Sequence, residues 1–155
     1  MIRTCFFDLQ TRGNTDIIDV TPYVADELKK TVLAEGVATI FVAGSTAGIT
    51  TIEFEPGLVE DVQSFFENII PEGKRYFHEE AWHDGNGHSH VRSALLKTSL
   101  TVPFLNHELL LGTWQQIVLV DFDNRPRKRR IITQFVGEPL SKRKELKGDK
   151  RASEI

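Results

Sequence analysis

QQIVLVDFDNRPRKRRIITQFV, residues 115–136, contains the two most strand-like segments of the chain. Both QQIVLVDF and RIITQFV are rich in β-branched and aromatic residues, which favour extended backbone. The intervening DNRPRKR is highly charged and contains Pro126, so we expect a loop longer than a two-residue turn. These segments predict an antiparallel hairpin in which RPRKRR, residues 125–130, forms an exposed turn.

The remaining short apolar segments predict five more strands. These segments are TCFFDLQT, DIIDV, VATIFVA, ITTIEF and LTVPF, and they share the same enrichment in β-branched and aromatic residues. The sequence contains no glycine-rich dinucleotide fingerprint and no phosphate-binding loop, which disfavours nucleotide-cofactor folds. Because strands outnumber helices, we expect an α+β domain built on antiparallel sheet.

Two segments have the apolar spacing of helices that cover a core. TPYVADELKKTVLAEG, residues 21–36, has Thr21 as a candidate N-cap and Gly36 as a candidate stop. PGLVEDVQSFFENIIP, residues 56–71, is bracketed by two prolines. A third, short helix is predicted at VRSALLK, with Ser89 as its N-cap. The predicted core stripes are Val24, Leu28 and Val32 in the first helix and Leu58, Val62, Phe65, Phe66 and Ile69 in the second.

Length and composition predict one domain. The chain has 155 residues, 40% of them hydrophobic, which is enough for one compact core. Cys5 is the only cysteine, so the sequence allows no intrachain disulfide and favours a reducing compartment. The sequence shows neither a signal peptide nor an apolar run of membrane-spanning length. We therefore expect a soluble, cytoplasmic protein with no membrane partner.

Charge is distributed unevenly along the chain. Residues 1–124 hold 8 Lys and Arg against 18 Asp and Glu, whereas residues 125–155 hold 11 against 4. We expect a single domain over residues 1–138 and a basic, extended or flexible tail over residues 139–155. Basic tails can bind nucleic acid, but the run at 125–130 is also typical of an exposed turn, so a nucleic-acid partner is not expected.

Four of the five histidines, His78, His83, His88 and His90, cluster within a short segment. Imidazole nitrogens are typical zinc ligands, and catalytic zinc sites use three protein ligands and one open position. His88 and His90 point the same way only on extended backbone, so they can share an ion if they precede the helix proper. The cluster forms either a metal or substrate site or a solvated loop, and His83 is its weakest candidate.

The start of the short helix also favours an anion. Free N–H groups and the positive end of the helix dipole attract phosphate. Arg92, in the first turn, carries a planar guanidinium suited to phosphate oxygens. The region therefore offers both metal ligands and an anion clamp.

Two further segments hold candidate site residues. In VAGSTAGITTIEFEP, residues 42–56, small residues admit a ligand to the backbone, and Ser45 and Thr46 can donate hydroxyl contacts. Glu53 can serve there as a metal ligand or, if it is buried, as a general base; an ordinary strand turn with surface glutamates is the alternative. In LLLGTWQQIVLVDF, we expect Trp114 in the core, and Gln115 becomes relevant if it lines a pocket.

Five segments, taken in their order along the chain, resemble the YjbQ-like family, whose small proteins are often labelled secondary thiamine-phosphate synthases. These segments are GSTAGITTIEFEP, RYFH, DGNGHSHVRSALL, SLTVPF and LGTWQQIVLVDFD. The resemblance runs from about residue 5 to residue 137, and LGTWQ, residues 111–115, is its most specific motif. It implies a two-sheet β-sandwich of largely antiparallel strands with two main helices and one short helix, assembled as a homotrimer.

The resemblance also implies a histidine metal or phosphate site. By position, His78 and His90 correspond to site histidines of the family, Glu53 to its acidic site residue and Gln115 to the glutamine of its Gly-Thr-Trp-Gln motif. Gly44 stands where many members have a histidine.

His88 is a hypothetical replacement for that ligand, which gives His78, His88 and His90 as the metal set. An all-histidine set suits zinc best, while magnesium is compatible with a diphosphate substrate.

The activity implied by the resemblance is thiamine-phosphate synthesis, a transferase reaction that joins two phosphorylated small molecules and displaces diphosphate. On this hypothesis Glu53, Arg92 and Gln115 are catalytic, and Ser45, Thr46 and Arg92 bind the substrate. The alternative is a trimeric module that binds a metal or a small anion without turnover.

Overall fold

The structure, a computed structural model, describes residues 1–140 as two antiparallel sheets and four helices. The five-stranded sheet has the order β1 (Ile2–Thr11), β8 (Arg127–Pro139), β3 (Leu33–Val42), β5 (Ser99–Leu105) and β6 (Glu108–Leu109). The three-stranded sheet has the order β2 (Asp16–Asp19), β7 (Gln116–Asp121) and β4 (Ala47–Ile52). The helices are α1 (Thr21–Lys29), α2 (Pro56–Ile69), α3 (Glu79–Trp82) and α4 (Gly87–Leu96). Every predicted strand is present, and the predicted two-sheet α+β fold is confirmed.

β7 is buried on both faces, which explains its unbroken apolar run. Ile117 and Leu119 pack into the core between the two sheets, whereas Val118 and Val120 pack into a second core with α2. Successive strand residues point to opposite faces, so a strand covered on both sides needs apolar residues at every position. β7 is accordingly the middle strand of its sheet, between β2 and β4.

The predicted hairpin between β7 and β8 is wrong, because the two strands lie in different sheets. β8 pairs with β1 and β3, and residues 122–126 cross from one sheet to the other.

The basic run at residues 125–130 was expected to be an exposed turn, but residues 127–130 begin β8. Each of these cations has a carboxylate partner: Arg127 with Asp123 at 2.9 Å, Lys128 with Asp8 at 3.1 Å, Arg129 with Asp121 at 2.6 Å, and Arg130 with Asp8 at 3.0 Å.

α1 is shorter than predicted. Val24 and Leu28 are buried as expected, but the helix ends at Lys29, and Val32 beyond it is 63% exposed. The Thr21 hydroxyl does not cap the helix, because it accepts a hydrogen bond from the Ile117 backbone N–H at 2.8 Å.

Gly36, the predicted helix stop, lies instead in β3. Its φ is +151°, and a Cβ there would collide with the Val136 carbonyl of β8. The close approach of the two strands at this point requires glycine.

The outward faces of the sandwich carry exposed apolar side chains. Phe66 of α2 packs edge-to-face on Phe122 with ring centroids 4.7 Å apart, but Phe65 and Ile69, which were expected in the core, are 55% and 47% exposed. The outer face of the five-stranded sheet presents a second apolar set, whose register aligns neighbouring strands: Phe6, Ile132 and Phe41 in one row, and Ile2, Val136 and Val37 in another.

β8 ends one residue beyond the predicted domain boundary, because Pro139 pairs with Leu33 of β3. The remainder of the predicted basic tail, residues 141–155, lies outside the described residues. Within residues 1–140, no helix combines the length and apolar content needed to cross a membrane.

Candidate functional site

His78 and His90 come together in the structure. Their ring centroids are 4.4 Å apart and their planes are inclined by 32°. His78 immediately precedes α3, and His90 lies in the first turn of α4. The loop that joins the two helices therefore folds back to make neighbours of two predicted metal ligands.

His88 does not join this pair. α4 begins at Gly87, earlier than predicted, so His88 and His90 are both helical and point in directions about 200° apart. His88 is 2% exposed and lines a separate polar cavity with Arg92 and Glu67. The three histidines of the predicted metal set therefore do not converge in this chain.

Two carboxylates beside His78 complete a candidate metal centre. The Nδ1 atom of His78 lies 3.6 Å from an Asp84 carboxylate oxygen and 3.9 Å from a Glu79 carboxylate oxygen. One ligand atom from each of these residues lies within 4.8 Å of the other two. Nδ1 of His78 is buried and has no hydrogen-bond partner within residues 1–140. A divalent cation would satisfy this buried nitrogen and the carboxylates facing it.

Glu79 occupies the helix start at which a phosphate was predicted. Its carboxylate accepts hydrogen bonds from the backbone N–H of Gly85 at 2.6 Å and of Gly87 at 2.7 Å. The bond from Gly87, above all, holds the pKa of Glu79 below its usual range. Because the chain's own carboxylate fills this position, a phosphate would have to displace Glu79 to bind the start of α4.

His90 is biased towards its neutral form. Burial lowers the pKa of His90, and the neighbouring His78 lowers it further. The charges of Asp84 and Asp123 and a hydrogen bond with the Ser45 backbone oppose this shift. The neutral imidazole is the form that binds a metal ion.

Two open clefts share His90 as a wall. One, of about 460 Å³, is also lined by Gly44, Ser45 and Lys97. The other, of about 380 Å³, is also lined by Phe77. Ligands in either cleft can therefore contact the same histidine.

Arg92, the predicted phosphate clamp, holds α2 and α4 together. Its side chain is buried, and it donates from Nε and Nη2 to the Ile70 carbonyl at 3.0 and 2.7 Å. Nη2 also binds the Glu67 carboxylate at 2.6 Å, and Nη1 binds the Thr15 hydroxyl at 3.0 Å. The donors of Arg92 are thus directed at protein acceptors beside His88, away from the two clefts that His90 lines.

Thr46 belongs to a buried network that joins the two sheets. Its hydroxyl accepts a hydrogen bond from Arg129 at 2.7 Å and donates one to Asp123 at 2.8 Å. Arg129 also makes two hydrogen bonds to Asp121, at 2.7 and 2.6 Å. The protein itself satisfies Thr46, whereas Ser45 is exposed and lines the larger cleft.

Glu53 and Gln115 lie at the opposite end of the three-stranded sheet from His90. β4 starts at Ala47, which accepts a hydrogen bond from α4 through Ser93 at 2.6 Å, and Glu53 lies roughly 20 Å farther along the extended chain. Glu53 is exposed. One chain therefore does not unite these two residues with the histidine pair.

Sequence reasoning missed Asp84 and Glu79, which lie beside His78, and Lys97, which lines a cleft with His90. It also misplaced Trp114, which is 71% exposed. Asp84 and Glu79 flank the histidines in HEEAWHDGNGH, but surface carboxylates near histidines are common. The signal that identifies them is spatial, because the turn at residues 83–86 brings Asp84 back to His78.

Comparison with known proteins matches residues 6–138 to the family model described as UPF0047 protein YjbQ-like. UPF0047 protein MJ1081 of Methanocaldococcus jannaschii is 32% identical over 133 residues, which cover 85% of this chain and 93% of the relative. UPF0047 protein YugU of Bacillus subtilis is 32% identical over 139 residues, covering 88% of this chain and all of the relative.

Solved structures show the same fold. A YbjQ-like protein of unknown function from Sulfolobus solfataricus has a TM-score of 0.80 and 29% identity, covering 89% of this chain and 100% of that one. Hypothetical protein APE1520 from Aeropyrum pernix has a TM-score of 0.82 and 29% identity, covering 88% and 99%. On the match over residues 6–138 and the identity to these relatives, the chain belongs to the YjbQ-like UPF0047 family.

Proposed function

We propose that this chain is a metal-dependent enzyme that acts on a phosphorylated small molecule, with thiamine-phosphate synthesis as the candidate reaction. The observation that carries the proposal is the buried Nδ1 of His78, which has no hydrogen-bond partner within residues 1–140 and faces Asp84, together with the His90 ring beside that of His78. A buried acceptor without a donor is costly unless an ion or a ligand completes it.

His78, Asp84 and Glu79 would each supply a metal ligand, and His90, whose ring centroid lies 4.4 Å from that of His78, would supply a further one. This mixed set of nitrogen and oxygen donors suits zinc. It also suits magnesium better than three histidines would, because magnesium prefers oxygen ligands. A divalent metal there would neutralise charge on phosphate or diphosphate oxygens.

The two clefts on either side of His90 suit a reaction between two substrates. Each cleft is large enough for a small molecule, at about 460 and 380 Å³, and each would hold its reactant against the same residue. Holding two reactants next to each other is a large part of how enzymes accelerate transfer reactions. The chain's own residues would thus bind and orient the pyrimidine diphosphate and the thiazole phosphate.

Assembly as a homotrimer is part of the proposal. The outer face of the five-stranded sheet presents Ile2 and Phe6 at 69% and 60% exposure, next to further apolar residues of β3 and β8. Contiguous apolar patches of this kind mark interfaces in soluble proteins. A second copy is also the remaining route by which Glu53 and Gln115 can approach the histidine pair. Light scattering should give three times the chain mass of 17.6 kDa, and Phe6→Glu should lower it.

The test compares matched histidine substitutions. His78→Asn and His90→Asn should each abolish metal-dependent formation of thiamine phosphate from the pyrimidine diphosphate and the thiazole phosphate. His83→Asn is the control, because His83 lies in the same loop with a left-handed φ of 53° that asparagine tolerates. Activity that survives in both site variants, or needs no metal, would contradict the proposal.

The second candidate is a protein that binds a metal or a small anion without turnover. The exposure of Glu53 and its distance from His90 favour it, because they deprive a single chain of the predicted general base. The same protein variants distinguish the enzyme from the binding protein. The binding protein is supported if the wild type binds zinc, His78→Asn does not, and neither forms thiamine phosphate.

A further inference from the structure

Lys97 has a backbone conformation that residues with a side chain rarely adopt. It terminates α4 with φ 79° and ψ 155°, a region that is populated almost entirely by glycine. Its N–H donates to the Ser93 carbonyl at 2.9 Å, and its carbonyl accepts from the Ile49 N–H at 3.0 Å. These two bonds hold the strained conformation in place, so a lysine is kept where glycine would fit without strain.

Lys97 lines the larger cleft beside His90. Three residues that carry hydroxyl groups, Ser45, Thr98 and Ser99, line the same cleft. The lysines that form ion pairs within residues 1–140 are Lys30 and Lys128, so the Lys97 ammonium has no carboxylate partner there. An unpaired cation among hydroxyl groups is suited to an anionic ligand.

A second cation approaches this cleft through Gly44. Arg129 is 7% exposed, and its Nη1 lies 2.8 Å from the point that a Cβ at Gly44 would occupy. The hydrogen bonds to Asp121 and Thr46 use Nε and Nη2 of this guanidinium. Because Gly44 lines the cleft and has no side chain, no Cβ stands between Nη1 and a ligand on that side.

The two anion sites expected from the sequence are both filled by protein groups. Glu79 caps the start of α4, and the guanidinium of Arg92 binds Ile70, Glu67 and Thr15. The larger cleft therefore has an available cation, Lys97, next to His90; the smaller cleft has Lys74 in its wall, but no second cation like Arg129 approaches it through a glycine within residues 1–140.

We propose that Lys97, assisted by Arg129 through the gap at Gly44 and by the Ser45 hydroxyl, binds the phosphate or diphosphate group of the ligand next to His90. This subsite deepens the proposed function by naming where the anionic group sits. It is tested by binding alone, so an absence of catalysis leaves it standing.

The experiment titrates inorganic diphosphate into the full-length protein by calorimetry, with and without zinc, and measures the unfolding midpoint of each variant. Lys97→Gln removes the charge and keeps a side chain, so diphosphate affinity should fall about tenfold with little change in midpoint. Lys97→Gly removes both the charge and the strain, so affinity should fall equally while the midpoint rises by roughly 2 to 6 °C. Lys97→Arg should retain the affinity.

Lys29→Gln is the matched control, because it removes a lysine charge from α1 and should leave diphosphate binding unchanged. The proposal is overturned if the wild type binds no diphosphate at millimolar concentration, or if Lys97→Gln binds it as tightly as the wild type. A stabilised Lys97→Gly variant with wild-type affinity would also overturn it, because the strain would then serve no binding role. Diphosphate binding that depends on Lys97, without thiamine phosphate formation, would leave the subsite intact and remove the proposed reaction.

Discussion

Replacing Asp121 with alanine should destabilise the protein by about 3 to 5 kcal/mol, because it would leave a guanidinium buried without its main counter-charge. Asp121 is fully buried, and it accepts hydrogen bonds from Arg129 at 2.7 and 2.6 Å, from the Thr11 hydroxyl at 2.5 Å and from the Asp123 N–H at 3.0 Å. The substitution would remove the carboxylate that accepts all four of these hydrogen bonds. Asp123, 3.7 Å from Arg129, would remain as a partial partner and favours the lower end of the range.

Urea denaturation followed by circular dichroism measures this loss, and in thermal unfolding it corresponds to a fall of roughly 6 to 20 °C in the midpoint. The double variant Asp121→Leu/Arg129→Leu should lose much less than the sum of the single changes, because it removes both charges together. Asp8→Ala is the control: it breaks the pair between Asp8 of β1 and Arg130, which follows Arg129 in β8 but is largely exposed, and exposed pairs contribute little. A loss below about 1 kcal/mol for Asp121→Ala, or strict additivity in the double variant, would refute a buried ionic link between the sheets.

Three further predictions concern residues outside the metal centre. Arg92→Met should lower stability by about 2 to 4 kcal/mol in urea denaturation, because its charged hydrogen bonds are buried, yet leave diphosphate affinity unchanged; a selective loss of that affinity would restore the phosphate role inferred from sequence. Gly36→Ala should cost about 2 to 4 kcal/mol by the same assay, because its φ is positive and the Val136 carbonyl blocks a Cβ; a neutral effect would contradict the close approach. Hydrogen bonds from Arg130 and Lys128 lower the pKa of Asp8 from 3.8 to about 2, so its stabilising contribution is complete above pH 3.8 and is lost as the pH falls towards 2. Asp8→Asn should therefore flatten the acid side of the melting profile, and an unchanged profile would argue against the pair.

Strand positions were predictable because a local excess of β-branched and aromatic residues is enough to indicate extended backbone. The run IVLV at residues 117–120 also indicates a strand that is buried on both faces, but it does not indicate which strands pair with it. The hairpin prediction failed for this reason: β7 needed cover from a sheet and from α2, and pairing with β8 would have placed both strands in one sheet. Strand pairing depends on which faces must be covered, and that is a property of the whole chain.

The candidate site was predictable in part for a similar reason. His78 and His90 were predictable as metal ligands from their residue type, and the fold makes them neighbours. The roles proposed for His88 and Arg92 depended on where α4 begins, and helix ends are poorly determined by sequence. With Gly87 rather than His90 as its first residue, the helix turns His88 towards Arg92 and away from the histidine pair.

His78, Asp84 and His90, with Glu79, are proposed to hold a divalent metal. A crystal structure of the zinc-loaded protein, with anomalous scattering data recorded at the zinc edge, is the decisive test of this metal centre. We expect an anomalous peak about 2.0 to 2.2 Å from an imidazole nitrogen of His78 and of His90 and from an Asp84 oxygen, with no contact to His88. A peak on His88, or no peak at the histidine pair in zinc-loaded crystals, would contradict it.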